Sequence, residues 1–117
     1  MISHVTIMTA KFDETIDFYD ALMAMPVVNM VERPDIKIAF LGKDETKLEV
    51  IEKMDAPPIN AQGLTIGFAV DNLDEKLAFL QERGIHHGNV ISPYPNLRYV
   101  FFKDLNGCAI QLIEGME

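Results

Sequence analysis

Two apolar periods alternate along the chain, one suited to strands and the other to helices. Ile2 to Thr9 alternates strictly, with Val5 and Ile7 on one side and His4, Thr6 and Met8 on the other, as a half-buried strand requires. Phe12, Ile16, Tyr19 and Met23 then recur at steps of three and four, which predicts an amphipathic helix from about Asp13 to Ala24. Pro26 stops that helix, because proline has no N–H for the helical ladder and its ring clashes with the preceding turn. Val27 to Val31, Ile36 to Leu41 and Lys47 to Glu52 read as short strands, and Gly42-Lys43-Asp44 supplies turn chemistry between the last two.

The same order returns after Met54 to Gln62, a segment containing Pro57-Pro58 that reads as a linker. Leu64 to Val70 is the next strand, and Leu73, Leu77 and Leu80 stripe a helix from about Asp74 to Arg83. Gly84 marks its end, where a left-handed backbone is needed. Strands are expected near His87 to Ile91, Arg98 to Lys103 and Cys108 to Ile113, with Asn106-Gly107 turning the last hairpin. Setting His4–Thr9 on Thr65–Val70 gives an offset of 61 residues, which also carries Phe12-Asp13-Glu14 onto Leu73-Asp74-Glu75. Lys47–Glu52 falls on Ala109–Glu114 at an offset of 62. A shared Asp-Glu pair and a nearly constant offset mark a repeated unit rather than chance apolar patterning. The expected fold is α+β: two βαβββ modules, 2–53 and 63–114, within a single domain spanning 1–117.

Composition narrows the function classes. The net charge is −8 and the basic residues are scattered, so nucleic acid is not an expected partner. There is no apolar run of the roughly 18 residues that a membrane span needs, and Met1-Ile2-Ser3-His4 does not begin a basic-then-apolar signal sequence. A lone Cys108 rules out an internal disulfide and suits a reducing compartment. The expectation is a cytoplasmic domain that engages neither membrane nor nucleic acid.

Ile2-Ser3-His4-Val5 with Asp17-Phe18-Tyr19 downstream, Leu48-Glu49-Val50-Ile51, Phe68-Ala69-Val70-Asp71, and Asp104-Leu105-Asn106-Gly107 leading to Ile110-Gln111-Leu112 stand in an order and spacing that carry a likeness. With the βαβββ repeat, they resemble the vicinal oxygen chelate superfamily, which includes glyoxalase I, bleomycin-resistance proteins, extradiol dioxygenases and methylmalonyl-CoA epimerase. The resemblance implies paired curved mixed sheets around a cleft, a small-molecule ligand and a homodimer. It also implies ligand positions on the first and last strand of each module, which fall here on His4, Glu49, Thr65 and Gln111. The repeat independently pairs His4 with Thr65 and Glu49 with Gln111.

Metal chemistry turns on Thr65 and Gln111. A Lewis-acid ion wants imidazole nitrogen and carboxylate oxygen with positions left open for substrate. A threonine hydroxyl is a poor ligand, and a glutamine carbonyl brings no charge and cannot serve as a base. The dioxygenase pattern of two histidines and one carboxylate is absent. The favoured expectation is therefore a degenerate metal site whose cleft binds a small organic molecule without metal, as bleomycin-resistance proteins do. The alternative is a lyase or isomerase, glyoxalase I-like or epimerase-like, in which His4, Glu49 and Gln111 hold a weakly bound Ni, Zn, Co or Mn ion. Glu49 is then ligand or catalytic base but not both. A structural or interaction domain is the third reading.

Thr65, Met8, Arg98, Tyr99 and Phe101 are the candidate cleft contacts, with Tyr94 reaching from a Pro93-Tyr94-Pro95 loop. A structural carboxylate facing Lys37 or Arg98 is the competing role for Glu49. His86-His87 follows a helix stop, and adjacent side chains on a strand point oppositely, so the pair is expected in a loop rather than on one ion. Cys108 is expected as a small buried filler. Asp13-Glu14 and Asp74-Glu75 open the two helices, where negative charge complements the helix dipole.

Overall fold

The computed structural model describes residues 1–116. Two units emerge, dividing after Ile59, and each has the order strand, helix, strand, strand, strand. The first comprises β1 (His4–Met8), α1 (Phe12–Met23), β2 (Val27–Arg33), β3 (Ile36–Leu41) and β4 (Lys47–Lys53). The second comprises β5 (Thr65–Val70), α2 (Leu73–Glu82), β6 (Ile91–Tyr94), β7 (Leu97–Lys103) and β8 (Ala109–Glu114). Each sheet is mixed, ordered β1-β4-β3-β2 in the first module and β5-β8-β7-β6 in the second. The first strand of each module runs parallel to the last, and the remaining pairs are antiparallel. The α+β reading and the double βαβββ order stand. Among the described residues no helix is long and apolar enough to cross a membrane.

Alternation along each strand divides every sheet into a helix face and a far face. In the first module Ile7, Leu48, Val50, Ala39 and Leu41 are buried, as are Phe12, Phe18, Tyr19 and Leu22 of α1. The second module buries Val100, Phe102, Ile110 and Leu112 with Leu73 and Leu80 of α2. Helix α1 ends on Ala24 in the left-handed region, whose N–H bonds the Asp20 carbonyl, so the chain turns before Pro26 is reached.

Both helices begin on a glutamate borrowed from the last strand of their own module. Glu52 accepts the Phe12 N–H at 3.0 Å, and Glu114 accepts the Leu73 N–H at 2.8 Å. Each satisfies a first-turn amide that has no partner within its helix. The repeat aligns these two glutamates with each other, so one capping device is used twice. Glu114 is further held by Arg98 at 3.2 Å, and the Leu73 amide followed by that guanidinium keeps its carboxyl below the usual carboxylate range. A depressed folded pKa stabilises the fold above the ordinary carboxylate pKa of about 4.3, and the contribution disappears as pH falls through the folded value. Glu114→Gln is expected to flatten the acid limb of the stability profile; equal acid-unfolding midpoints for variant and wild type in circular dichroism would contradict this.

Two local expectations differ from the structure. The second strand of the second module is Ile91–Tyr94, not His87–Ile91. His87 contributes an isolated bridge to Phe102, and the Gly88 N–H bonds the Phe101 carbonyl. Pro93 and Tyr94 therefore lie in a strand, where proline is tolerated because β6 is an edge. Cys108 is buried, and burial followed by the charge of Asp104 pushes its thiol upward, so it remains a protonated filler.

Candidate functional site

The far face of the first sheet gathers the polar groups. Register places Thr6 beside Glu49, Glu49 beside Phe40, and Phe40 beside Asn29, one row across four strands. Thr6 Oγ1 donates to Glu49 Oε1 at 2.6 Å, and His4 Nε2 stands 3.6 Å from the same oxygen. The Glu49 side chain is only 14% exposed, against 40% for His4, so its charge is drawn partly out of water and needs these two partners. His4 meets the Phe40 ring edge-on with centroids 5.5 Å apart, and its Nδ1 lies 2.8 Å from Ser3 Oγ. Ser3 thereby orients the imidazole. When its hydroxyl donates to Nδ1, the ring proton sits on Nε2 facing Glu49; when it accepts from Nδ1–H, Nε2 is free to bind.

Neither Lys37 nor Arg98 is the partner of Glu49. Lys37 lies on the helix face, 4.0 Å from Glu32 and over the Phe12 ring. Thr6, Ser3 and Phe40 are the members of this cluster that sequence reasoning did not assign to it. Thr6 was visible as sharing the His4 face, but Phe40 joins only through the β3–β4 register.

In the second module the far face is more aromatic. Gln111 sits between Gly67 and Phe101 in register, and Thr65 lies beside Ala109. Tyr99 and Phe101 form an edge-on pair with centroids 5.6 Å apart. A Cβ at Gly67 would meet Gln111 Oε1 at 3.4 Å, so glycine leaves room beside the amide. Arg98 does not share this face. It alternates with Tyr99, so it points toward α2, where Asp74 and Glu114 take its guanidinium at 3.3 and 3.2 Å. Met8 lies two residues beyond Thr6, half-buried on the far face of the first sheet. His87 is tied to Gln81 and Gly88 rather than to His86.

Two donors on one ion, each bonded at about 2.1 Å with a tetrahedral angle between them, stand about 3.4 Å apart. The 3.6 Å between His4 Nε2 and Glu49 Oε1 is close to that edge length. These two residues therefore fit one edge of a coordination shell. Among the described residues no group of three His, Cys, Asp or Glu side chains comes together that could hold an ion. A carboxylate, an imidazole and a hydroxyl beside an aromatic ring can in any case recognise a polar group on an organic ligand by hydrogen bonds.

Comparison with solved structures finds the same architecture over nearly the whole chain. A glyoxalase family protein from Enterococcus faecalis is 27% identical, with a TM-score of 0.76 and 97% of each chain covered. TnmS3, an antibiotic-binding protein from Streptomyces sp. CB03234, is 19% identical with a TM-score of 0.77, covering 97% of this chain and 94% of its own. The fosfomycin resistance protein FosX from Listeria monocytogenes, solved with Mn(II) and sulfate, is 16% identical with a TM-score of 0.78, covering 99% and 93%. Comparison with curated proteins finds no match to the sequence. The Glyoxalase/Bleomycin resistance protein/Dioxygenase superfamily model matches residues 1–112, which is nearly the entire described chain. With two βαβββ modules and the His4 and Glu49 positions on the first and last strands of the first, the chain belongs to that superfamily.

Proposed function

We propose that the chain binds a small organic molecule on the far face of its first sheet, without depending on a metal ion. The observation that carries this reading is the compact His4–Glu49–Thr6 cluster, in which the carboxylate already has a hydroxyl and an imidazole as partners. It presents a polar recognition point beside Phe40, next to the apolar row of Met8, Ile51, Ile38 and Val31. Pockets for small ligands combine such apolar walls with a few placed polar groups. TnmS3, a protein of the same fold, is named as an antibiotic-binding protein, which supports a small organic ligand. The second module's candidates for ligand contact are Thr65, Gln111, Tyr99 and Phe101.

The test is an amide chemical-shift titration with 1-octanol in buffer containing EDTA. Saturable shifts centred on β3 and β4 are expected, weakened about fivefold by Phe40→Ala, since roughly a kilocalorie of apolar contact is lost. Shifts that do not saturate, or that require added metal, would count against the reading.

One observation favours a second reading. The near-edge spacing of His4 Nε2 and Glu49 Oε1 suits a divalent ion. Such an ion contributes Lewis acidity to a lyase or isomerase. In that reading His4 and Glu49 would hold it, Ser3 would orient the imidazole, and Thr6 would steady the carboxylate. FosX, solved with Mn(II), is a protein of the same fold.

A further inference from the structure

The far face of the first sheet is banded along its strands. The polar row of Thr6, Glu49, Phe40 and Asn29 is followed by the apolar row of Met8, Ile51, Ile38 and Val31. The next row is Lys53, Ile36 and Arg33, two cations flanking one apolar residue. All members of the apolar row are half-buried, whereas Arg33 and Lys53 are exposed. From the Glu49 row to the Lys53 row is four residues of β4, about 13 Å at the strand rise.

We infer that this face binds an elongated amphiphile ending in a carboxylate, its polar end at His4 and Glu49 and its carboxylate between Arg33 and Lys53. The inference rests on the small-molecule reading above and names the class of ligand. Arg33 and Lys53 sit on strands either side of β3, about 10 Å apart at the backbone, and both side chains are long enough to meet above Ile36. Neither makes an ion pair among the described residues. At the β2–β3 turn they border a cavity of about 280 Å³ that Lys37 and Glu52 of the helix face line as well, with Asp35 and Met54. Of its acids, Glu52 accepts the Phe12 N–H, and Asp35 lies in the turn beyond the strands.

Charge sets the direction of the ligand. Glu49 repels a carboxylate and favours a hydroxyl or other donor, while Arg33 and Lys53 attract one. The two ends are farther apart than the Debye length of about 8 Å at physiological salt, so the acid at one end does not cancel the cations at the other. The second module offers no equivalent. There the repeat puts Tyr94, Leu97 and Gly115 in these places, and Arg98, which lines the corresponding cavity, is already taken by Asp74 and Glu114.

The test compares octanoate, 1-octanol and octylammonium in amide chemical-shift titrations of the full chain at physiological ionic strength with EDTA. Octanoate is expected to bind about tenfold more tightly than 1-octanol, the effect of two exposed charge pairs acting together, and octylammonium no better than the alcohol. The double variant Arg33→Gln/Lys53→Gln should bring octanoate to the level of 1-octanol and leave 1-octanol unchanged. Octanoate binding no tighter than 1-octanol to the wild type overturns the inference, and so does a double variant that weakens both probes equally. In either case, saturable 1-octanol binding leaves the small-molecule reading standing. Failure of all three probes removes that reading and the inference with it.

Discussion

Replacing Ile7 with alanine is expected to destabilise the protein by about 2–5 kcal/mol, while replacing its neighbour Met8 costs under about 1 kcal/mol. Ile7 is fully buried on the helix face of β1, in the layer with Leu48 and Val50. Truncating it loses transfer free energy and leaves a cavity that a packed sheet-on-helix layer cannot collapse. Met8 points the other way, is half-buried, and stands in the apolar row of the proposed ligand face. Met8→Ala should instead weaken 1-octanol binding about five- to tenfold through lost apolar contact. Urea unfolding with unchanged slope and shifted midpoint reads the first effect, and the shift titration reads the second. If Met8→Ala is as destabilising as Ile7→Ala, the far face is a packed interior rather than a binding surface.

Titration with Ni(II) separates the two functional readings most sharply. Structural sites with four ligands bind with about 10–16 kcal/mol, or about 2.5–4 kcal/mol for each ligand. Two donors then give about 5–8 kcal/mol, a Kd between about 1 μM and about 200 μM. The wild type is expected in that range, with Glu49→Gln or His4→Ala weakening it about a hundredfold. A chelator-competition Kd below about 10 nM would mean that further ligands join His4 and Glu49, and would favour the lyase or isomerase reading. Thr65→His tests the same point from the second module. Restoring an imidazole at that position should tighten Ni(II) about a hundredfold if the second-module position reaches the ion, and should leave affinity unchanged otherwise.

Element types were legible because burial imposes a period on the sequence. The apolar period delimits Ile36–Leu41 to the residue, and both helices to within one residue at each end. His4, Thr6 and Met8 could be assigned to one face of one strand from alternation alone. The same rule separates Arg98 from Tyr99 and Phe101, so the three do not share one face. The β6 strand escapes the apolar pattern because it is an exposed edge strand containing Pro93, with little of the alternation that marks a half-buried one.

What the sequence determines by itself is what repeats locally: two βαβββ modules, the side of each strand that is apolar, and the residue types at the family's ligand positions. These follow from side-chain period and burial, which act within a dozen neighbouring residues. Only the tertiary structure decides which residues stand next to one another across strands, because register is set by turn geometry and the hydrogen-bond ladder. That register makes Thr6 and His4 the partners of Glu49, gives Glu52 and Glu114 to the helix starts, and sends Arg98 to Asp74. It also aligns Arg33 and Lys53 across Ile36, a basic row drawn from three strands that no single stretch of sequence contains.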